Sequence, residues 1–258
     1  MTITTERSGA IATVTLNRPE ARNALTGQML SDFERTISTL DGDPEIRVIV
    51  LTGADPAFCA GLDLKDLANT YGRVGAASDA PKIERRGLSV VRSTPMIGAI
   101  NGPAVTGGLE LALGCDFLIG SHRATFADTH GRVGILPGGG MTIRLPQLIG
   151  INRARQMSLT GMFIDAGTAA EWGLLNEVVP HGLLMERTME LAGQIAEADP
   201  ATLAQLLAMY ASNADAPTES YSQELRWSRR FMAEHFDDAA FAAKRDGIIS
   251  RGSNAQRS

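Results

Sequence analysis

Three short apolar runs, RVIVLTG (47–53), MIGAI (96–100) and DFLIGS (116–121), constrain this chain more than any other feature. They read as strands, the first of them buried, and ATFAD (124–128) reads as a further short one. The opening TITTERSGAIATVTL is a hairpin around Ser8-Gly9, followed by the loop NRPEARNAL. From Thr26, a plausible cap, Met29, Leu30, Phe33, Ile37 and Leu40 recur at helical spacing, and Asp41-Gly42-Asp43-Pro44 ends that helix. A loop and a short helix follow in ADPAFCAGLDLKDLAN. YGRVGAASDAPK (71–82) is small, polar and aperiodic, and reads as a mobile surface segment. The spacing predicts another helix over about 82–92. Strands and helices alternate throughout, so the fold class is α/β layers. From His181 to about Ile249 the pattern is helical, which suits a tail covering the core or a neighbouring subunit.

Bulk properties remove several functions. A net charge of −5, with Lys and Arg never in runs longer than two, argues against non-specific nucleic-acid or anionic-membrane binding. No stretch approaches the ~18 apolar residues of a membrane span. MTITTERSGA lacks a basic segment followed by an apolar run, so no secretory signal is expected and a cytoplasmic protein is the default. The two cysteines, Cys59 and Cys115, make no metal-type pair and no disulfide framework. The four histidines, at 122, 130, 181 and 235, are dispersed, so no metal site is expected. No nicotinamide or flavin motif appears, so no redox cofactor is expected either.

The stretch INGPAVTGGLELALGCD (100–116) poses the chemical question. Gly102 to Gly107 matches half of a phosphate loop, but Gly108-Leu109 stands where Lys and Ser/Thr should be. Neither this loop nor GILPGGG (134–140) meets the dinucleotide signature. A glycine loop opening a helix can serve otherwise: first-turn N–H groups lack internal partners and can hold an oxygen that becomes negative. That makes Gly107 the centre of a candidate oxyanion hole. Glu110, among leucines, is either a solvent-facing residue or an acid–base group in a partly dry pocket, where its pKa would rise. A capping box is excluded by spacing, because Thr106 plus three is Leu109.

LNRPEARNAL, LTGADPAFCAGLDLKDL, INGPAVTGGLELALGCD and VGILPGGG, in this order and spacing, resemble the crotonase superfamily, also called the enoyl-CoA hydratase/isomerase family. The likeness runs from about residue 3 to residue 249. It implies a crotonase-like spiral of ββα turns, with an acyl-CoA site in residues 1–195 and a C-terminal helical oligomerisation region in 196–258. The implied assembly is a homotrimer or a hexamer formed as a dimer of trimers. The implied substrate is an acyl-CoA thioester, with coenzyme A part of the substrate and no separate cofactor. Its thioester oxygen would lie between the N–H groups of Leu62 and Gly107. Ala60 would lie along the CoA, and Phe241 and Lys244 would contact CoA from a neighbouring subunit, unless that pair is an ordinary helix end.

Glu110 matches one of two glutamates that hydratases of this family use to activate water. At the second glutamate's position stands His130, and Thr106 replaces the first glycine of the usual triplet. His130 is either a proton shuttle or a structural histidine at the pocket wall. Asp128 is close by in sequence, with no role assigned. Three readings follow: hydration of a 2-enoyl-CoA through a thioester enolate, double-bond isomerisation or other enolate chemistry with one base, and acyl-CoA binding without turnover.

Overall fold

The computed structural model of the chain describes residues 1–63, 66, 85–214 and 218–235. Its strands are β1 (Ile3–Ser8), β2 (Ile11–Leu16), β3 (Val48–Gly53), β4 (Arg85–Arg86), β5 (Ser89–Val90) and β6 (Met96–Ile100). They continue with β7 (Ala104–Val105), β8 (Phe117–Ser121), β9 (Thr125–Ala127), β10 (Phe163–Asp165) and β11 (Glu177–Val179). The expected strands at 47–53, 96–100, 116–121 and 124–128 all form. So does the helix after Thr26, at Gly27–Asp41, where the Thr26 hydroxyl accepts the Met29 N–H at 3.1 Å.

Six strands build one sheet in the order β1-β2-β3-β6-β8-β11. The β1–β2 hairpin is antiparallel and the remaining pairs are parallel. Parallel neighbours need crossover connections, which cover the sheet and leave inner strands buried on both faces. Every residue of β3 and β6 is accordingly buried. In β3, Ile49 and Leu51 join a core with Met29, Phe33 and Ile37 of the first helix. Val48 and Val50 point the other way, toward Leu184 and Ala192 of the helix Leu184–Glu197.

β7, β9 and β10 form a second sheet in the order β10-β9-β7, and Cys59 joins its β7 edge by a parallel bridge to Ala104. Each passage of the chain therefore leaves one segment in the large sheet and one in the small. β3 is followed by Cys59, β6 by β7 and the helix Gly107–Ala112, and β8 by β9 and the helix His130–Val133. This is the expected spiral of ββα turns. It places the ends of β7 and β9, with the helices that follow them, side by side.

One expectation is corrected. Within 82–92, the described residues form the β4–β5 hairpin rather than a helix. Gly87 sits at φ +71°, and a Cβ there would meet the Gly139 carbonyl oxygen at 2.0 Å. Leu88 donates its N–H to that carbonyl at 3.1 Å, so a tertiary contact overrides a weak helical period. The segment 71–82, residues 64, 65 and 67–69 of the expected short helix, and the end of the helical tail (236–249) lie outside the described residues. Residues 215–217 also lie outside the described residues; the described part of the tail up to His235 forms the expected helices Leu184–Glu197, Pro200–Ala214 and Thr218–His235. Among the described residues, no helix is long and apolar enough to cross a membrane.

Leu51→Ala, at the sheet centre, is expected to cost about 2–5 kcal/mol in urea unfolding. Glu6→Ala, exposed on the edge strand, is expected to stay within about 0.5 kcal/mol of wild type. Equal effects would contradict the two-sided burial.

Candidate active site

The first wall of the site is the loop after β3, strapped from both sides. Fully buried Asn23 donates its side-chain N–H groups to the carbonyls of Ala54 and Ala57, at 2.8 and 2.7 Å. Asn101 accepts the Gly53 N–H at 3.2 Å and donates to Asp55 at 2.9 Å. Further along, Ala60 donates its N–H to the Arg22 carbonyl and Cys59 donates to Pro103, both at 3.0 Å. Leu25 then pairs with Leu62 in a parallel bridge, donating to Gly61 and accepting from Asp63, each at 2.8 Å. In that pattern the N–H of Leu62 itself points away from Leu25.

The second wall is the start of the helix Gly107–Ala112. A Cβ on Gly107 would lie 3.6 Å from the Leu62 nitrogen, so the two backbone segments are neighbours. Gly108 is more constrained still: a Cβ there would fall 2.1 Å from the Cys59 carbonyl oxygen. Thr106, in the place of a glycine, holds φ +55° and ψ −114° and makes no side-chain cap. Such a backbone is strained for a β-branched residue, by about 1–3 kcal/mol. Its N–H donates to Ala127 at 2.9 Å, and its hydroxyl bonds the Thr129 hydroxyl at 2.7 Å. The replacement thus ties the glycine loop to the turn that carries His130.

Glu110 is 4% exposed, which rules out the solvent-facing reading. Its Oε1 accepts the N–H of Gly139 at 2.8 Å and of Met141 at 3.4 Å, and its Oε2 faces His130 Nε2 at 3.9 Å. Burial pushes the Glu110 carboxyl up to about 7, assisted by the charges of Glu224 and Asp128 and opposed by His130 and the Gly139 N–H. His130 is itself 3% exposed. Its Nδ1 meets Asp128 Oδ1 at 2.6 Å, and Asp128 Oδ2 accepts the Ser158 hydroxyl at 2.6 Å. Burial alone would lower the pKa of His130. The Asp128 hydrogen bond and the charges of Glu110, Asp128 and Glu224 outweigh it and hold the ring above its ordinary 6.5. Burial would raise Asp128, but the hydrogen bonds and charge of His130, with Ser158, hold it below its ordinary value.

Sequence reasoning brought Leu62, Gly107, Glu110 and His130 to one place and set Ala60 on the adjoining loop, half-buried. Phe241 and Lys244 lie outside the described residues. It missed Glu224, buried on the helix Thr218–His235, which accepts the N–H groups of Gly140 (2.6 Å) and Thr142 (2.8 Å). It also accepts the Thr142 hydroxyl. This carboxylate fixes the loop whose Gly139 N–H holds Glu110, and nothing in its amphipathic helix singles it out. Asn23, Asn101 and Ser158 were missed as well, because their partners are distant in sequence. Both thiols are buried and pushed up to about 12, so neither is a thiolate nucleophile.

Residues 6–246 match the family model described as enoyl-CoA hydratase/isomerase. The chain is 39% identical over 191 residues to an Arabidopsis thaliana protein named "Probable enoyl-CoA hydratase 1, peroxisomal", covering 74% of this chain and 71% of that one. It is 34% identical to the carnitinyl-CoA dehydratase of Escherichia coli K12, covering 94% of this chain and 95% of the relative. Among solved structures, an enoyl-CoA hydratase from Mycobacterium paratuberculosis superposes with a TM-score of 0.79 at 42% identity, over 91% of this chain and 98% of that one.

Protonation should register in stability. Folded Glu110, near 7, holds its proton more tightly than the unfolded carboxyl near 4.5. That contribution is fully present below the unfolded value and is lost as pH rises through about 7. His130, also raised, acts in the same sense. The melting temperature is therefore expected to fall as pH rises from about 4.5 to about 7. In Glu110→Gln the fall should be shallower and the alkaline melting temperature higher than in wild type. Scanning calorimetry on both proteins checks this, and an unchanged slope in the variant would contradict it.

Proposed function

The chain belongs to the enoyl-CoA hydratase/isomerase family, and from that premise we propose that it is a hydro-lyase adding water across the 2,3 double bond of a 2-enoyl-CoA. The observation that carries this reading is the pairing of buried Glu110 and His130 across 3.9 Å, beside the Leu62 and Gly107 backbone. A water about 2.8 Å from both facing atoms would be held at an angle near ~90°, a geometry a single water satisfies.

In this mechanism the thioester oxygen accepts hydrogen bonds from the N–H groups of Leu62 and Gly107. The Glu110 carboxylate takes a proton from water as its oxygen bonds to the β carbon. The double-bond electrons move to the thioester oxygen, giving an enolate held by the two N–H groups. The enolate collapses and takes a proton at the α carbon from the Nε2–H of the His130 imidazolium. Glu110 is then protonated and His130 neutral, and transfer between their facing atoms restores the starting pair. Both groups are displaced upward, Glu110 to about 7 and His130 above its ordinary value, which suits a base working beside a charged imidazolium near neutral pH.

CoA enters as part of the substrate, and no separate cofactor belongs to the proposal. Ala60, Phe241 and Lys244 remain the proposed CoA contacts. Exposed Leu206, Met209 and Tyr210 on the helix Pro200–Ala214 support a homotrimer or a hexamer. A cavity of about 940 Å³ between that helix and the end of β8 lies away from Glu110 and His130 and fits the same assembly. The cytoplasm is the proposed compartment.

Purified protein supplied with a short 2-enoyl-CoA should discharge the conjugated-enoyl absorbance. Glu110→Gln should slow turnover by about 100- to 10,000-fold. Gly108→Ala, which pushes on the Cys59 carbonyl, should slow it by about 100- to 1,000-fold. Conversion of a 3-enoyl-CoA without hydration of any 2-enoyl-CoA would replace this reading with isomerisation. Acyl-CoA binding without turnover of either would leave only a binding protein.

A further inference from the structure

We infer that Asp128, steadied by Ser158, is a positioning residue that fixes the His130 ring in one orientation and one tautomer, with Nε2 presented to Glu110. Asp128 Oδ1 accepts two donors from the same residue, the His130 backbone N–H at 3.2 Å and the ring Nδ1–H at 2.6 Å. Its Oδ2 is occupied by the Ser158 hydroxyl at 2.6 Å. A carboxylate so placed only accepts, so Nδ1 carries a proton whether the ring is charged or neutral. Nε2 is then the atom that loses and regains a proton, and it is the one facing Glu110.

Other charges around the ring do not do this. Glu110 approaches from the helix Gly107–Ala112 at 3.9 Å, and Glu224 acts on it from the helix Thr218–His235 through its charge. Both favour the imidazolium, as Asp128 does, but Asp128 alone of the three bonds to Nδ1. Ser158 belongs to the helix Ile151–Thr160, so the orientation is anchored outside the His130 turn. The inference deepens the proposed acid–base pair and rests on that reading for its catalytic meaning. After the Nε2 proton goes to the α carbon, the retained Nδ1–H leaves a lone pair on Nε2 to take the proton from Glu110.

The test is long-range proton–nitrogen NMR on 15N-labelled protein across a pH titration, with His130→Gln identifying the His130 signals. Wild type should show the Nδ1–H tautomer when neutral. In Asp128→Asn the amide oxygen can still accept both donors, so the tautomer should persist while the titration midpoint falls by about 1–3 pH units. Ser158→Ala should lower it less. Asp128→Ala should let the Nε2–H tautomer appear, and Asp128→Asn decides alone if that variant does not fold. The alkaline limb of the hydration rate should move down with the Asp128→Asn midpoint. An unmoved midpoint in Asp128→Asn, or a wild-type tautomer kept in Asp128→Ala, would overturn the inference. Absence of hydration alongside the expected NMR changes would overturn the hydratase reading and leave the positioning role standing.

Discussion

The close approach of two backbone segments organises the site. Gly108 admits the Cys59 carbonyl where a side chain would begin, and this brings Leu62 against Gly107. Only backbone can pack so tightly, so the donors proposed for the thioester oxygen are main-chain N–H groups set by the spiral. The asparagines hold the geometry from behind. Asn23 and Asn101 both donate to the carbonyl of buried Ala57, a partner that a buried backbone carbonyl requires.

A second constraint is electrostatic. Three carboxylates, Glu110, Asp128 and Glu224, are buried around one imidazole. Isolated, such charges would be expensive to bury; here each has hydrogen-bond donors of its own. Glu224 takes the Gly140 and Thr142 N–H groups, Glu110 takes Gly139, and Asp128 takes His130 and Ser158. Glu110 is pushed up to about 7 by its burial, whereas Asp128 is held below its ordinary value by His130 and Ser158. The same imbalance that weakens the fold at alkaline pH makes this residue a useful base near pH 7.

Strained Thr106 belongs to the same arrangement. A glycine would relieve its backbone but would remove the hydroxyl bonded to Thr129, between Asp128 and His130. The departures from the two-glutamate pattern are therefore linked in space: Thr106 supports the turn on which His130 replaces a carboxylate.

The sequence alone determined the alternation of elements, because periods of 2 and 3.6 follow from local backbone geometry. The runs RVIVLTG, MIGAI and DFLIGS and the helix after Thr26 were legible for that reason. The motif residues Leu62, Gly107, Glu110 and His130 were legible as well, through glycine chemistry, a charge among leucines and family resemblance. Tertiary structure alone decided the β4–β5 hairpin, where a contact between Gly87 and Gly139 overrode a local pattern. It also decided the partners of the charged groups. Asp128 meets Ser158 30 residues away, and Gly140 meets Glu224 84 residues away. Burial and hydrogen bonding set the protonation of Glu110 and His130, and both depend on which distant segments the spiral brings together, a property no local stretch of sequence carries.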